Sequence, residues 1–206
     1  MSIIGALKWR HSLKHFSPKK VDTTLIHNLI EAARLSASSY GLQPYQLLIV
    51  QDPALLQQLS DQAFGQAQVK ECSHLFIFAN KTNITDTLVE EYFEHHHQQT
   101  QTEVGSLNGY AEHIKTAIGA KTEEEKHIWA EQQAYIALGS LLAEAAMLSV
   151  DTCPMTGFDK AAFNHTLGLT KKDLSACVIC AVGYRDENIQ IQNKVRLPLN
   201  EFASFI

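Results

Sequence analysis

The sequence predicts an α+β fold, and three observations carry that prediction. Leu25, Ile26, Leu29, Ile30 and Ala33 recur at the spacing of one helix face. Short apolar runs at Tyr45–Val50, 75–79, Asp151–Met155 and 175–184 read as strands. Helical and extended segments succeed one another without the regular βαβ alternation of a doubly wound sheet.

Taken in order, the chain opens on an apolar segment, Ile3-Ile4-Gly5-Ala6-Leu7, followed by Trp9 and the basic stretch Arg10-His11-Ser12-Leu13-Lys14-His15-Phe16. Ser17-Pro18-Lys19-Lys20 is a turn, and Asp22 caps a helix that runs to about residue 35. The small hydroxyl residues of 36–44, with Gly41 and Pro44, form a loop before the strand Tyr45–Val50. Asp52-Pro53 opens a second helix, with a cap and a proline at its first position, and this helix ends in 63–68. The continuous apolar run of 75–79 implies a strand buried on both faces.

Between 82 and 119 the pattern is helical but polar and loosely periodic, which suits a mobile wall of a pocket. Its Glu94-His95-His96-His97 run is a solvated helix face and no metal site, because neighbouring helical residues point about 100° apart. Thr122-Glu123-Glu124-Glu125 is a capping box that opens the longest helix, to about residue 148. From 134 onward that helix is apolar on nearly every side, so it belongs in the centre or at a subunit interface. Asp159 caps a short helix closed by Gly168, 175–184 is the last strong strand, and 185–206 is an extended arm with an apolar tip.

The 206 residues fit a single domain, 1–206, and the net charge of −5 argues against a nucleic-acid partner. No apolar run approaches the roughly 20 residues that span a bilayer. The N-terminal segment is too short, and too soon interrupted by Lys8 and Arg10, for a signal peptide, so a cytoplasmic protein is expected. Cys177 and Cys180 have C-x-x-C spacing inside a strand, where strict alternation turns them to opposite faces; with Cys72 and Cys153 they read as core residues. Nucleophile-elbow, zinc-protease and phosphate-loop motifs are absent, as is the G-x-G turn of a dinucleotide-binding domain. A nicotinamide cofactor would therefore have to dock where the second substrate docks, in a ping-pong order.

Two basic clusters, Arg10-His11-Ser12-x-Lys14 and Lys194-x-Arg196, stand at opposite ends of the chain. They offer guanidinium forks, a hydroxyl and compact ammonium charges to a shared anion. Together with Phe16, Ser38-Ser39-x-x-x-Gln43-Pro44, Pro154-x-x-Gly157-Phe158-Asp159 and Pro198, they resemble the FMN-dependent nitroreductase family, and within it the oxygen-insensitive NAD(P)H nitroreductase and dihydropteridine reductase branch.

The resemblance runs in register from about residue 3 to residue 198. It implies a mixed central sheet wrapped by helices, and an intertwined homodimer whose C-terminal arm packs on the partner. The implied activity is two-electron, FMN-dependent reduction of nitroaromatics, quinones or similar small aromatic acceptors by NAD(P)H. The alternative it leaves is a flavin-handling or dehalogenating relative without general reductase activity.

By the same resemblance, Lys14 stabilises charge on the flavin, and no side chain is an acid or base. Arg10, Ser12, Lys194 and Arg196 surround the phosphate, with His11 close by. Pro154, Met155, Thr156 and Gly157 pass the flavin edge and Gln68 touches it. Ser38, Ser39, Gly41 and Gln43 come from the other subunit. The chain departs from the branch in having Thr156 for Glu, which alters the charge beside the nicotinamide, Gly41 and Gly65 for Asn, and Gln68 for Lys, the last of which leaves less positive potential at the flavin edge.

Overall fold

The computed structural model describes residues 2–186 and 188–206. Four strands, β1 (Tyr45–Val50), β2 (His74–Lys81), β3 (Asp151–Met155) and β4 (Leu174–Gly183), form one sheet in the order β1-β2-β4-β3. All three strand pairs are antiparallel, and one parallel bridge, Ser12 to Thr152, adds the N-terminal segment to the β3 edge.

The helices are α1 (Ile3–Trp9), α2 (Thr23–Arg34), α3 (Pro53–Gln62), α4 (Ala67–Glu71), α5 (Asp86–Thr100), α6 (Asn108–Gly119), α7 (Glu123–Met147), α8 (Lys160–Thr166) and α9 (Leu199–Phe202). Their starts follow side-chain chemistry: Asp22, Asp52, Thr122 and Asp159 each accept a backbone N–H at an N-terminus. The Thr122–Glu125 capping box is complete. Three features lay beyond the sequence pattern. The first apolar segment is helical, 63–71 contains the short α4, and 82–119 resolves into the pair α5 and α6.

The sheet is covered on both faces. On one, Leu75, Ile77, Ile179 and Ala181 pack with Leu56 and Leu59 of α3, Val69 of α4 and Phe163 of α8. On the other, Phe76, Phe78, Val178 and Val182 pack with Ile26 and Leu29 of α2 and Ala137, Leu138 and Leu141 of α7. A third cluster joins α5, α6 and the start of α7 around Phe93, Ile114 and Trp129.

Cys177 and Cys180 do not turn to opposite faces as strict strand alternation predicts. A β-bulge between β2 and β4 breaks the register at Phe78/Ala79, so Val178 faces Phe78 and Ala176 faces Ala79, with Cys177 as the extra residue. Both cysteines consequently pack in the same α2/α7 core. All four thiols are buried and unpaired, in keeping with core roles.

The N-terminal segment is fastened across the sheet edge. Leu13 and Phe16 are buried in the core, and the Ser17 N–H donates to the Tyr184 carbonyl at 2.8 Å. Phe16 lies so close to Gly183 that a Cβ there would sit 2.7 Å from its ring, so the strand end must be glycine for the segment to lie down. Not all of α7 is covered, however. Ile128, Tyr135, Ile136 and Met147 are exposed in a single chain, as are Ile3, Ile4 and Leu7 of α1 and Leu199, Phe202, Phe205 and Ile206 of the arm.

Candidate functional site

α1 ends at Trp9 and the chain turns extended at Arg10, so the basic stretch leaves the helix alongside β3. The Arg10 Nη2 donates to the Ser12 hydroxyl at 3.1 Å, and its Nε is buried without a partner among the described residues. His11 Nδ1 lies 2.9 Å from the Trp9 carbonyl. Lys14 is exposed and makes no hydrogen bond or ion pair among the described residues. Its charge, with that of Arg10, reaches the Cys153 thiol of β3, where burial raises the thiol's pKa and these cations oppose the rise.

The C-terminal cluster folds back onto this stretch. Arg10, His11, Ser12, Lys14, Lys194 and Arg196 line one cavity of about 480 Å³, closed on the far side by 189–193. No carboxylate is among the described residues that line it. Burial, and then the charges of Arg10 and Arg196, push the Lys194 ammonium below the ordinary lysine value. Cations crowded this way favour a bound anion.

The arrangement fits a phosphate monoester. Arg10 offers a buried N–H with no partner, the Ser12 hydroxyl can donate, and Arg196 spends only one observed contact, Nη1 to the Val195 carbonyl at 2.6 Å. Lys194 is engaged differently. Its Nζ donates to the carbonyls of Leu7, Lys8 and Arg10, at 2.5, 3.3 and 2.6 Å.

A second group of expected residues meets beside β3. Gln68, only 3% exposed, donates through Nε2 to Gln66 Oε1 at 3.0 Å, and Gln66 donates through Nε2 to the Gly157 carbonyl at 2.6 Å. This holds α4 against 154–157. Thr156 and Gly157 are exposed, whereas the Met155 side chain is buried in the core, so only the Met155 backbone remains for a ligand.

The loop 38–43 is not brought to this cavity within one chain. The Ser39 N–H donates to Gln133 of α7 at 2.8 Å, Gln43 donates to the Ser38 hydroxyl and to the Arg34 carbonyl, and Gly41 lies against the Tyr92 ring. A larger hollow of about 750 Å³ lies between α5 and α6, but its lining is acidic and its lysine is spent, with Lys115 bridging Glu90 at 2.9 Å and Glu112 at 3.0 Å.

Sequence reasoning missed Trp9, Asp151 and Arg185. Arg185 forms hydrogen bonds of 2.5 to 3.1 Å with the buried Asp151 carboxylate and lies 4.2 Å from the centre of the Trp9 ring. Nothing in their spacing pairs them, since the contact joins residues far apart in the chain.

The sequence profile of the nitroreductase family matches residues 7–184. The chain belongs to the nitroreductase family. This is a family of oxidoreductase enzymes, and the match spans most of the chain. A Staphylococcus haemolyticus protein provisionally named an NAD(P)H nitroreductase is 30% identical over 216 aligned positions, covering 100% of this chain and 97% of that one. Homologues provisionally given the same name in Staphylococcus aureus are also 30% identical, with 100% and 96% covered.

Among solved structures, a nitroreductase-like protein of Bacillus subtilis superposes with a TM-score of 0.89 at 19% identity, covering 98% of each chain. An Exiguobacterium sibiricum protein of the family, solved in complex with FMN, superposes at 0.85 and 19% identity, covering 100% of this chain and 98% of that one. These likenesses show the nitroreductase fold in this family member.

Proposed function

We propose that this nitroreductase-family protein is an FMN-dependent NAD(P)H oxidoreductase that delivers two electrons to nitroaromatics, quinones or similar small aromatic acceptors, in ping-pong order and as a homodimer. The observation that carries the reading is the carboxylate-free cavity in which cations from both chain ends converge, with the buried Arg10 Nε unpartnered. The names of the staphylococcal relatives support NAD(P)H as the reductant, and the FMN in the Exiguobacterium homologue supports the cofactor.

FMN, when bound, would take a hydride from the nicotinamide and pass it to the acceptor. Arg10, Ser12 and Arg196 would hold its phosphate, with His11 and Lys194 beside them, because guanidinium forks match phosphate oxygens two at a time. Lys14, exposed and unspent, would set a positive charge against the pyrimidine side of the ring, where reduction places negative charge. Gln68 and the backbone of Pro154, Met155, Thr156 and Gly157 would border the ring's reacting edge, held in place by the Gln66–Gly157 hydrogen bond. Ser38, Ser39, Gly41 and Gln43 would reach the ring only from a second copy, which makes each site a property of the dimer. No side chain on this edge has to give or take a proton, since solvent can supply it.

The test is the visible spectrum of the purified protein, after adding FMN if necessary, followed by NADPH under anaerobic conditions. Flavin absorbance that bleaches with NADPH and returns on adding a quinone or nitroaromatic is expected. A protein that stays colourless with FMN contradicts the cofactor assignment, and a bound flavin that NADPH does not bleach contradicts the reductase assignment.

A further inference from the structure

We infer that Lys194 is a latch on the end of α1, and that with Arg185 it clasps the arm onto the N-terminal helix, so that Arg10 and Arg196 are held together at the anion cavity. The inference rests on the reading that this cavity takes the FMN phosphate, and it assigns Lys194 a positioning role there.

The geometry supplies two fixed points. At one, Arg185 is gripped by the buried Asp151 carboxylate and covers the Trp9 ring at 4.2 Å from its centre. At the other, the Lys194 Nζ meets the carbonyls of Leu7 and Lys8 in the last turn of α1 and of Arg10, the first residue beyond it. An ammonium has three N–H bonds, and all three are spent on the backbone. Between these points, residues 189–193 form the wall of the cavity opposite Arg10.

Such a clasp has a physical reason. α1 has only seven residues, and Ala6 is its only buried one, so its own hydrogen bonds cannot keep it formed. Its last carbonyls have no helical partner, and the negative end of the helix dipole lies there. A cation donating to three of those carbonyls satisfies both needs. It also fixes Arg10, whose carbonyl it holds, and Arg196, two residues along the arm. Lys194 therefore acts on the phosphate through these two guanidinium groups.

Hydrogen–deuterium exchange on flavin-free protein tests the latch without any cofactor, comparing wild type with Lys194→Met, Lys194→Arg and Arg196→Ala. Exchange in peptides covering 3–14 should quicken at least tenfold in both Lys194 variants, with β4 and α7 unchanged, and should stay at the wild-type rate in Arg196→Ala. Arginine keeps the charge, but its planar fork cannot converge on three carbonyls.

In parallel, FMN affinity should fall at least tenfold in Lys194→Met while riboflavin affinity holds, a phosphate-end loss that general destabilisation would not give. Unchanged exchange in Lys194→Met, or full recovery of both exchange and FMN affinity in Lys194→Arg, overturns the latch. If the wild type binds neither flavin, the cofactor reading fails while the exchange comparison still decides the clasp.

Discussion

Lys14 and the cysteines show what single residues contribute. Lys14 has no observed partner to neutralise it, so replacing it with alanine removes a full charge from the cavity and little packing. Lys14→Ala is expected to lower the potential of bound FMN by on the order of 30 mV, about 1.4 kcal/mol for a two-electron couple, while changing FMN affinity less. Spectroelectrochemical titration reads this directly, and an unshifted potential removes Lys14 from the role. The thiols are the opposite case. Burial pushes Cys72 and Cys177 up to about 12, and burial also raises Cys153 and Cys180. A thiol reagent should therefore label none of the four in the folded protein at neutral pH and all four after unfolding in guanidinium. Rapid labelling of the native protein would contradict the burial described here.

The basic residues were legible only as a pair of clusters: Arg10 to Lys14 alone also reads as a solvated turn, whereas Lys194-x-Arg196 at the other end of the chain points to a shared anion, and the structure brings both clusters to one cavity. The partners of Lys194 were not legible. A lysine placed near a phosphate site by pattern alone cannot reveal that its three donors end on carbonyls at the other end of the chain.

At the scale of elements, the helix starts were readable from Asp22, Asp52, Thr122 and Asp159, because a cap is a local bargain between one side chain and the next few N–H groups. The short α1 and α4 escaped, since their stability comes from contacts distant in sequence. The bulge at Cys177 escaped for a related reason: alternation is a property of one strand, whereas a bulge is defined by two. The capping box yields a prediction. Thr122→Ala should cost about 1 kcal/mol of stability, measured by urea unfolding.

The backbone N–H of Thr122 lowers the pKa of Glu125, and that of Thr24 lowers the pKa of Asp22. Because both folded values lie below the ordinary ones, the stability from these caps is complete above 4.5 and 3.8 and is lost as pH falls through the lower folded values. Urea midpoints measured from pH 6 to pH 3 should drop across that range, and Glu125→Gln should shrink the drop. Equal pH dependence in Glu125→Gln and wild type would show that the box contributes nothing to acid stability.

At the scale of the whole molecule, the fold class followed from the order of segments, and the sheet order followed only from structure. The apolar face of α7 from residue 134 pointed to burial, and half of it is met by α2 and the sheet. Tyr135, Ile136 and Met147 stay exposed in a single chain, on a helix that also packs against α1. A second copy is the covering we propose, and in that proposal it would also bring the 38–43 loop to the cavity. Removing 197–206 should therefore convert the dimer toward monomer in light scattering and weaken FMN retention with it. A truncated protein that remains dimeric and retains flavin would show that the arm is not part of the interface.

The central claim is that cations from both chain ends hold the FMN phosphate, and the most direct measurement is calorimetric titration of flavin-free protein with FMN and with riboflavin, in wild type and Arg196→Ala. The predicted result is that FMN binds much more tightly than riboflavin, and that Arg196→Ala loses about 1.5–3 kcal/mol for FMN alone. Equal affinity for the two flavins, or an equal loss for both in Arg196→Ala, would contradict it.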